Sequence, residues 1–173
     1  GAEGVGLFRT EFLFQERETA PTEDEQYGAY VAAAKAMKGR PVIIRTLDVG
    51  ADKPLIFADV SSGNNPFLGE RGIRFCLAHT DVFKPQLRAL LRAAWQENIR
   101  IMFPMVSHLA ELRTARELLE MARKELAEEG VLTPSGFLND LKSLAATISR
   151  DPSSVAGNVS AGDGNLADLG YMR

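Results

Sequence analysis

Val5-Gly6-Leu7-Phe8-Arg9-Thr10 and Val42-Ile43-Ile44-Arg45-Thr46 are two apolar runs that close on the same pair, Arg-Thr. Read as strands, each buries its aliphatic residues and delivers a guanidinium at its carboxyl end. In α/β folds that end is where loops converge and ligands bind. Two arginines aimed at one place call for an anion with several oxygens, most simply a phosphate together with a carboxylate. A guanidinium grips either one bidentately and does not lose its charge.

Outward from these runs the chain alternates strand and helix as far as Gly130. The first strand is predicted over Val5 to Phe12. Thr22 and Glu25 then have the spacing of a capping box, and Tyr27, Tyr30, Val31, Ala34 and Met37 recur at helical spacing up to Gly39, the expected stop. The second strand is predicted from Val42 to Leu47, followed by a loop that holds Asp48, Asp52 and Lys53. Asn65-Pro66-Phe67-Leu68-Gly69 marks a turn. A short helix is expected from Arg71 to Leu77, and a longer one near Pro85 with Leu87, Leu90, Leu91 and Ala94 on one face. Ile99 to Val106 reads as the third strand, with Pro104 at its end because proline cannot donate to an inner ladder. Ser107 is placed to cap a helix reaching Glu129, with the stripe Leu109, Leu112, Leu119, Ala122 and Leu126. Strands separated by helices imply right-handed βαβ units and a parallel sheet.

Composition changes after Gly130. Ser135 to Arg150 reads as an amphipathic helix. From Asp151 onward the chain is rich in Ser, Gly, Asn and Asp without periodicity, so that this end is expected to be disordered. The expected division is therefore 1–130 and 131–173. A net charge of -3 across 173 residues gives no footprint for nucleic acid. There is no apolar stretch of membrane-spanning length, and a single cysteine, Cys76, excludes an internal disulfide framework. A cytoplasmic location is expected, and the start at Gly1 without a methionine is read as the beginning of a piece of something longer.

Four motifs, taken in order, resemble the barrel of phosphoenolpyruvate-utilising enzymes. They are Gly1-Ala2-Glu3-Gly4-Val5-Gly6-Leu7-Phe8-Arg9-Thr10-Glu11-Phe12-Leu13-Phe14, then Arg45-Thr46-Leu47-Asp48-Val49-Gly50-Ala51-Asp52-Lys53, then Asn65-Pro66-Phe67-Leu68-Gly69-Glu70-Arg71-Gly72-Ile73-Arg74, and finally Ile101-Met102-Phe103-Pro104-Met105. The pattern is most similar to Enzyme I of the bacterial sugar phosphotransferase system and to the multiphosphoryl transfer proteins. The resemblance implies a partial (β/α)8 TIM barrel of about three β/α units with an atypical tail. It implies phosphoenolpyruvate as substrate, magnesium as cofactor, and Arg9, Arg45 and Arg71 as phosphate-binding residues. It also implies phosphoryl transfer to a histidine on a separate N-terminal domain and then to a histidine-containing phosphocarrier protein, in a parent enzyme that dimerises. The family's phosphorylated histidine, its late catalytic cysteine and its magnesium ligands match nothing in this chain, so the chain alone is expected to be inactive. The rivals are a barrel piece of pyruvate-phosphate dikinase or phosphoenolpyruvate synthase, and a non-catalytic remnant or interaction module.

The remaining candidates read as structural. Arg74 is a weaker ligand candidate than Arg71, and either could pair with Glu70 or Asp48. Asp48 and Asp52 suit loop shaping. His79 and His108 sit at helix junctions as surface or capping residues. Cys76 reads as a small buried hydrophobe, and Trp95 with the Leu87–Leu91 stripe reads as core.

Overall fold

The computed structural model describes residues 1–49, 55, 70–96, 98–131 and 171–172. Three of the sheet's four strands are parallel: β1 (Val5–Arg9), β2 (Val42–Arg45) and β3 (Ile99–Met102), in that order. The helices between and after them are α1 (Glu23–Ala36), α2 (Ile73–Ala78), α3 (Thr80–Ala93) and α4 (Leu109–Glu128). This is the partial α/β barrel that the motifs imply.

Side-chain alternation explains why the helices gather on one face. Along β2, Val42 and Ile44 are fully buried while Ile43 and Arg45 are half-buried; along β3, Ile99 and Ile101 are buried while Arg100 and Met102 are half-buried. Period-2 alternation sends the first set under the helices and the second to the opposite face. Beneath α3 lie Phe83, Leu87, Leu90 and Leu91, all at or near zero exposure. Each such side chain contributes roughly 1.5–3 kcal/mol on burial. The α4 stripe is Leu112, Ala115, Leu119, Ala122 and Leu126. Leu109, expected in that stripe, is only half-buried, and Ala115 takes part instead.

Several boundaries differ from the expected ones. β1 stops at Arg9 because Thr10–Leu13 turns into a 3-10 helix, so the predicted run to Phe12 is three residues too long. β2 ends at Arg45 and β3 at Met102. Beyond β3 the chain turns at Pro104, and Met105 adopts a left-handed φ of 58°. His108, rather than Ser107, is the N-cap residue of α4; the Glu111 carboxylate accepts the backbone N–H groups of both, at 3.0 and 2.8 Å. Two backbone N–H groups donating to one carboxylate explain why the helix starts one residue late. Burial pushes the Glu111 carboxyl up, but these bonds and the charge of Arg74 hold it below its usual range. Trp95 is 56% exposed and is not core, because it falls in the 3-10 turn Ala94–Gln96 that carries the chain away from the buried face of α3. The expected helix over 135–150 lies outside the described residues, as does most of the expected disordered end. Tyr171–Met172, however, forms a short strand β4 antiparallel to β3, which no periodicity in the sequence announces.

The capping box at α1 is present as read. Thr22 Oγ1 accepts the Glu25 N–H at 3.2 Å and Glu25 Oε2 accepts the Thr22 N–H at 2.8 Å. At the other end of the helix, Lys38 and Gly39 both take left-handed φ values, 50° and 82°. The stop is thus built over two residues rather than at Gly39 alone. The outer helices are bound together by ion pairs centred on Arg88 of α3, which reaches Glu23 of α1 at 2.6 Å and Glu129 beyond α4 at 2.6 Å. Arg92 adds Glu23 and Asp24, each at 2.7 Å, and lies over the Tyr27 ring.

A Cβ on Gly4 would lie 2.7 Å from the carbonyl oxygen of Pro41, which accepts the Val5 N–H that begins the β1–β2 ladder. Gly4→Ala is expected to cost about 1–3 kcal/mol in urea denaturation. The Glu25 carboxyl is held at about 2, first by the Thr22 N–H and then by Arg17. Its pKa in the folded chain lies below the unfolded value of about 4.3. Its contribution is therefore complete above that value and is lost as pH falls toward 2. Glu25→Gln should flatten the fall of the thermal midpoint over that interval.

Candidate functional site at the strand ends

The carboxyl ends of β1 and β2 meet through a shift in register. Val5 pairs with Val42, but Phe8 pairs with Ile44 and Arg9 with Arg45, so β1 carries one extra residue at Gly6-Leu7. A bulge of this kind bends a strand and re-aims the side chains beyond it. Its effect here is specific. Without it, Phe8 would stand opposite Arg45 and Arg9 would turn toward the helices. With it, Phe8 faces α1 and meets the Tyr30 ring edge-on at 6.1 Å. Arg9, Arg45 and Met102 then form a row on the face away from the helices.

Arg45 is the fixed member of that row. Its Nη2 lies 2.5 Å from Glu11 Oε1 and its Nη1 lies 2.9 Å from Asp48 Oδ2. Asp48 Oδ1 extends the set to Arg71 Nη2 at 3.5 Å. Arg45 Nε is buried and has no hydrogen-bond partner among the described residues. Arg9 is exposed, with its guanidinium 5.4 Å from the centre of the Phe12 ring. Of the sequence candidates, Arg9 and Arg45 are brought together by strand register, and Arg45 and Arg71 by a shared carboxylate. Arg74 stands apart, close enough to Glu111 for its charge to act on that carboxyl. Asp52, Lys53 and the turn at Asn65–Gly69 lie outside the described residues.

The loops after β2 and β3 close together beneath these groups. Gly72 N–H donates to Val49 O at 3.3 Å and Ile73 N–H to Pro104 O at 3.0 Å. Gly72 has a φ of 55°, and a Cβ there would lie 3.1 Å from Pro104 O. Only glycine suits both the backbone and the space. Cys76 is buried as expected, its Sγ donating to Leu47 O at 3.3 Å. Burial first, and then the charge of Asp48, pushes its thiol well above the usual range. It is therefore no nucleophile. His79 joins α2 to α3 and stacks on Phe75 at 4.4 Å, a structural role.

Sequence reasoning missed a second layer. Gln86 of α3, with no exposed surface, accepts the Leu47 N–H at 2.9 Å and donates to Thr10 Oγ1 at 3.2 Å and to Tyr30 Oη at 3.3 Å. Thr10 Oγ1 in turn donates to Arg45 O at 2.9 Å. Tyr30 Oη donates to Gln26 Oε1 at 3.1 Å, and Gln26 Nε2 to Pro21 O at 3.0 Å. Burial drives the Tyr30 phenol far above its usual range. The signal available in the sequence is a glutamine interrupting an apolar helical face.

A family model for the PEP-binding domain of PEP-utilising enzymes matches residues 1–138. The chain belongs to that family. Among curated relatives, it is 54% identical over 130 residues to the phosphoenolpyruvate-protein phosphotransferase of Staphylococcus carnosus (strain TM300), covering 75% of this chain and 23% of that protein. It is 56% identical over 126 residues to the multiphosphoryl transfer protein of Rhodobacter capsulatus, covering 73% of this chain and 15% of the relative. The phosphoenolpyruvate-protein phosphotransferase of Geobacillus stearothermophilus is 49% identical over 137 residues, 79% of this chain and 24% of its own. The chain thus spans a quarter or less of the length of these relatives. No helix among the described residues is long and apolar enough to cross a membrane.

Asp48 compensates two guanidiniums at once, with only 8% of its side chain exposed. Asp48→Asn should destabilise the chain by about 3 kcal/mol, the lower end for breaking a buried ion pair. Sulfate should restore the thermal midpoint of the variant by more than it raises that of the wild type, because an external anion then replaces the negative charge lost at position 48.

Proposed function

We propose that this chain supplies the strand-end arginines of a phosphoenolpyruvate site in a phosphoenolpyruvate–protein phosphotransferase, with Arg9, Arg45 and Arg71 as its anion-binding residues. The observation that carries this reading is the pairing of Arg9 with Arg45 at the ends of β1 and β2, on the face away from the helices. The family match and the names of the relatives support it.

The division of labour among these side chains rests on their contacts. Glu11 and Asp48 hold the two terminal nitrogens of Arg45, so the guanidinium is oriented before any ligand arrives. Each of those nitrogens keeps a second N–H to offer an anion. A preoriented donor needs no reorganisation when charge develops on a transferring phosphoryl group, which is how such sites stabilise transfer. Arg9, exposed and resting on Phe12, is free to swing onto the ligand's second acidic group.

Charge balance limits what these residues do alone. Taken together, the guanidiniums of Arg9, Arg45 and Arg71 against the carboxylates of Glu11 and Asp48 leave one net positive charge. A phosphate monoester brings about 1.5 to 2 negative charges near neutral pH, and the carboxylate of phosphoenolpyruvate brings another. The reaction therefore needs further cations, and the resemblance points to magnesium. The residues described do not fit that ion. Both oxygens of Asp48 and one of Glu11 face guanidiniums, and no group of three or more His, Cys, Asp or Glu among the described residues could hold a metal. We assign the magnesium ligands, the phosphorylated histidine and the catalytic cysteine to parts of the enzyme outside these residues. On this reading 1–130 is the barrel segment, with the family match running on to 138. The parent is a cytoplasmic dimer passing its phosphoryl group to a histidine-containing phosphocarrier protein.

Calorimetric titration with phosphoenolpyruvate tests the proposal. The wild-type chain is expected to bind it, magnesium to add little, and the Arg9→Ala/Arg45→Ala double variant to lose about a hundredfold or more, as two charge-assisted contacts disappear. Equal affinity in the double variant would refute the assignment.

A further inference from the structure

We propose that Gln86 is a positioning residue, which sets the separation between Arg9 and Arg45 so that one ligand can bridge them. The inference rests on the phosphoenolpyruvate reading above and adds a residue that touches neither substrate nor reacting atoms.

Gln86 occupies a fully buried position on the face of α3 that also carries Phe83, Leu87 and Leu90. A buried amide is costly unless its donors and acceptor are satisfied. Here all are. Oε1 accepts from Leu47 N–H, and the two hydrogens of Nε2 go to Thr10 Oγ1 and Tyr30 Oη. Each of those hydroxyls accepts from Gln86 and passes its own hydrogen onward, Thr10 to Arg45 O and Tyr30 to Gln26. The directions are therefore fixed throughout, and the hub must offer two donors and one acceptor. Glutamate cannot provide that set when ionised, and leucine provides none of it.

The anchored atoms decide what the hub does. Thr10 is the residue after Arg9, and its hydroxyl binds the carbonyl of Arg45. Leu47 lies between Arg45 and Asp48. One side chain thus ties down the chain immediately beyond both arginines and immediately before the carboxylate that orients Arg45. Tyr30 and Gln26 brace the hub against α1 and Pro21. A ligand that puts its phosphate on one arginine and its carboxylate on the other senses their separation, and misplacement of about 1 Å costs such binding up to about a hundredfold. Inorganic phosphate, held chiefly by one arginine, senses it little.

That contrast is the test. Affinities of the full chain for phosphoenolpyruvate and for inorganic phosphate would be measured by calorimetry for wild type, Gln86→Leu, Gln86→Glu and Arg45→Ala. The Arg45 Nε–H resonance would be recorded without ligand for the wild type and the two Gln86 variants. We expect both Gln86 variants to lose about tenfold or more for phosphoenolpyruvate while phosphate changes by less than about threefold, with the Arg45 resonance displaced. Equal losses for both ligands, or no loss for either, would overturn the inference, since a purely structural role scales both alike. Should Gln86→Leu fail to fold, Thr10→Val, which removes the link to the Arg45 carbonyl and the acceptor of one Gln86 hydrogen but keeps the amide on Leu47 and Tyr30, must show the same split. If the wild type binds no phosphoenolpyruvate, or Arg45→Ala binds it unchanged, it is the substrate reading that fails. The resonance then decides the positioning claim by itself, and an Arg45 signal unmoved in the Gln86 variants refutes it.

Discussion

The Gln86 side-chain amide is a buried polar junction between elements that pack around it through apolar side chains. It ties α3 to the residue after β1, to the loop after β2 and, through Tyr30, to α1. Apolar packing is non-directional and would allow the strand ends to slide by fractions of an ångström. Hydrogen bonds with fixed donor and acceptor roles do not. A second buried amide does the same at the opposite end of the sheet. Asn98 Nδ2 donates to Ala34 O and to Arg40 O, each at 2.9 Å, and the backbone carbonyl of Asn98 accepts the Val42 N–H. The sheet is pinned at both ends by amides, with aliphatic packing between them.

The two faces of the sheet have unlike duties. One is sealed by α1, α3 and α4 and carries the stability. The other bears Ile43, Arg45, Arg100 and Met102, all half-buried, and presents the arginine row. The bulge at Gly6-Leu7 sorts β1 correctly between them, with Phe8 to the sealed face and Arg9 to the open one. The ion pairs around Arg88 stay outside both, on the solvent side of the helices, where screened charges fix orientation more than they add stability.

The features legible in the sequence are those written as periodicity or as short motifs. The α1 capping box, the buried leucines of α3 and the shared destination of Arg9 and Arg45 all belong to this kind. What escapes depends on contacts between residues far apart in the chain. A glutamine on an apolar stripe reads as a blemish until Thr10, Tyr30 and Leu47 are seen around it. Glu11 falls within the predicted first strand with no partner in view until β2 brings Arg45 alongside. The bulge leaves no trace beyond a glycine in a strand. Trp95 misleads for the converse reason. Its size argues for burial, but it sits just past the end of the helix whose face is buried, and the chain has already turned.

Cys76, the one thiol of the chain, rests its sulfur against the carbonyl of Leu47, whose amide hydrogen belongs to Gln86. It is shut away from solvent and, being protonated, is inert toward electrophiles. A disulfide reagent can reach it only when α2 lifts from the loop after β2. The residue is thus a native clock for the strand-end apparatus. Its rate of labelling counts how often that region opens, with no engineered probe to disturb it.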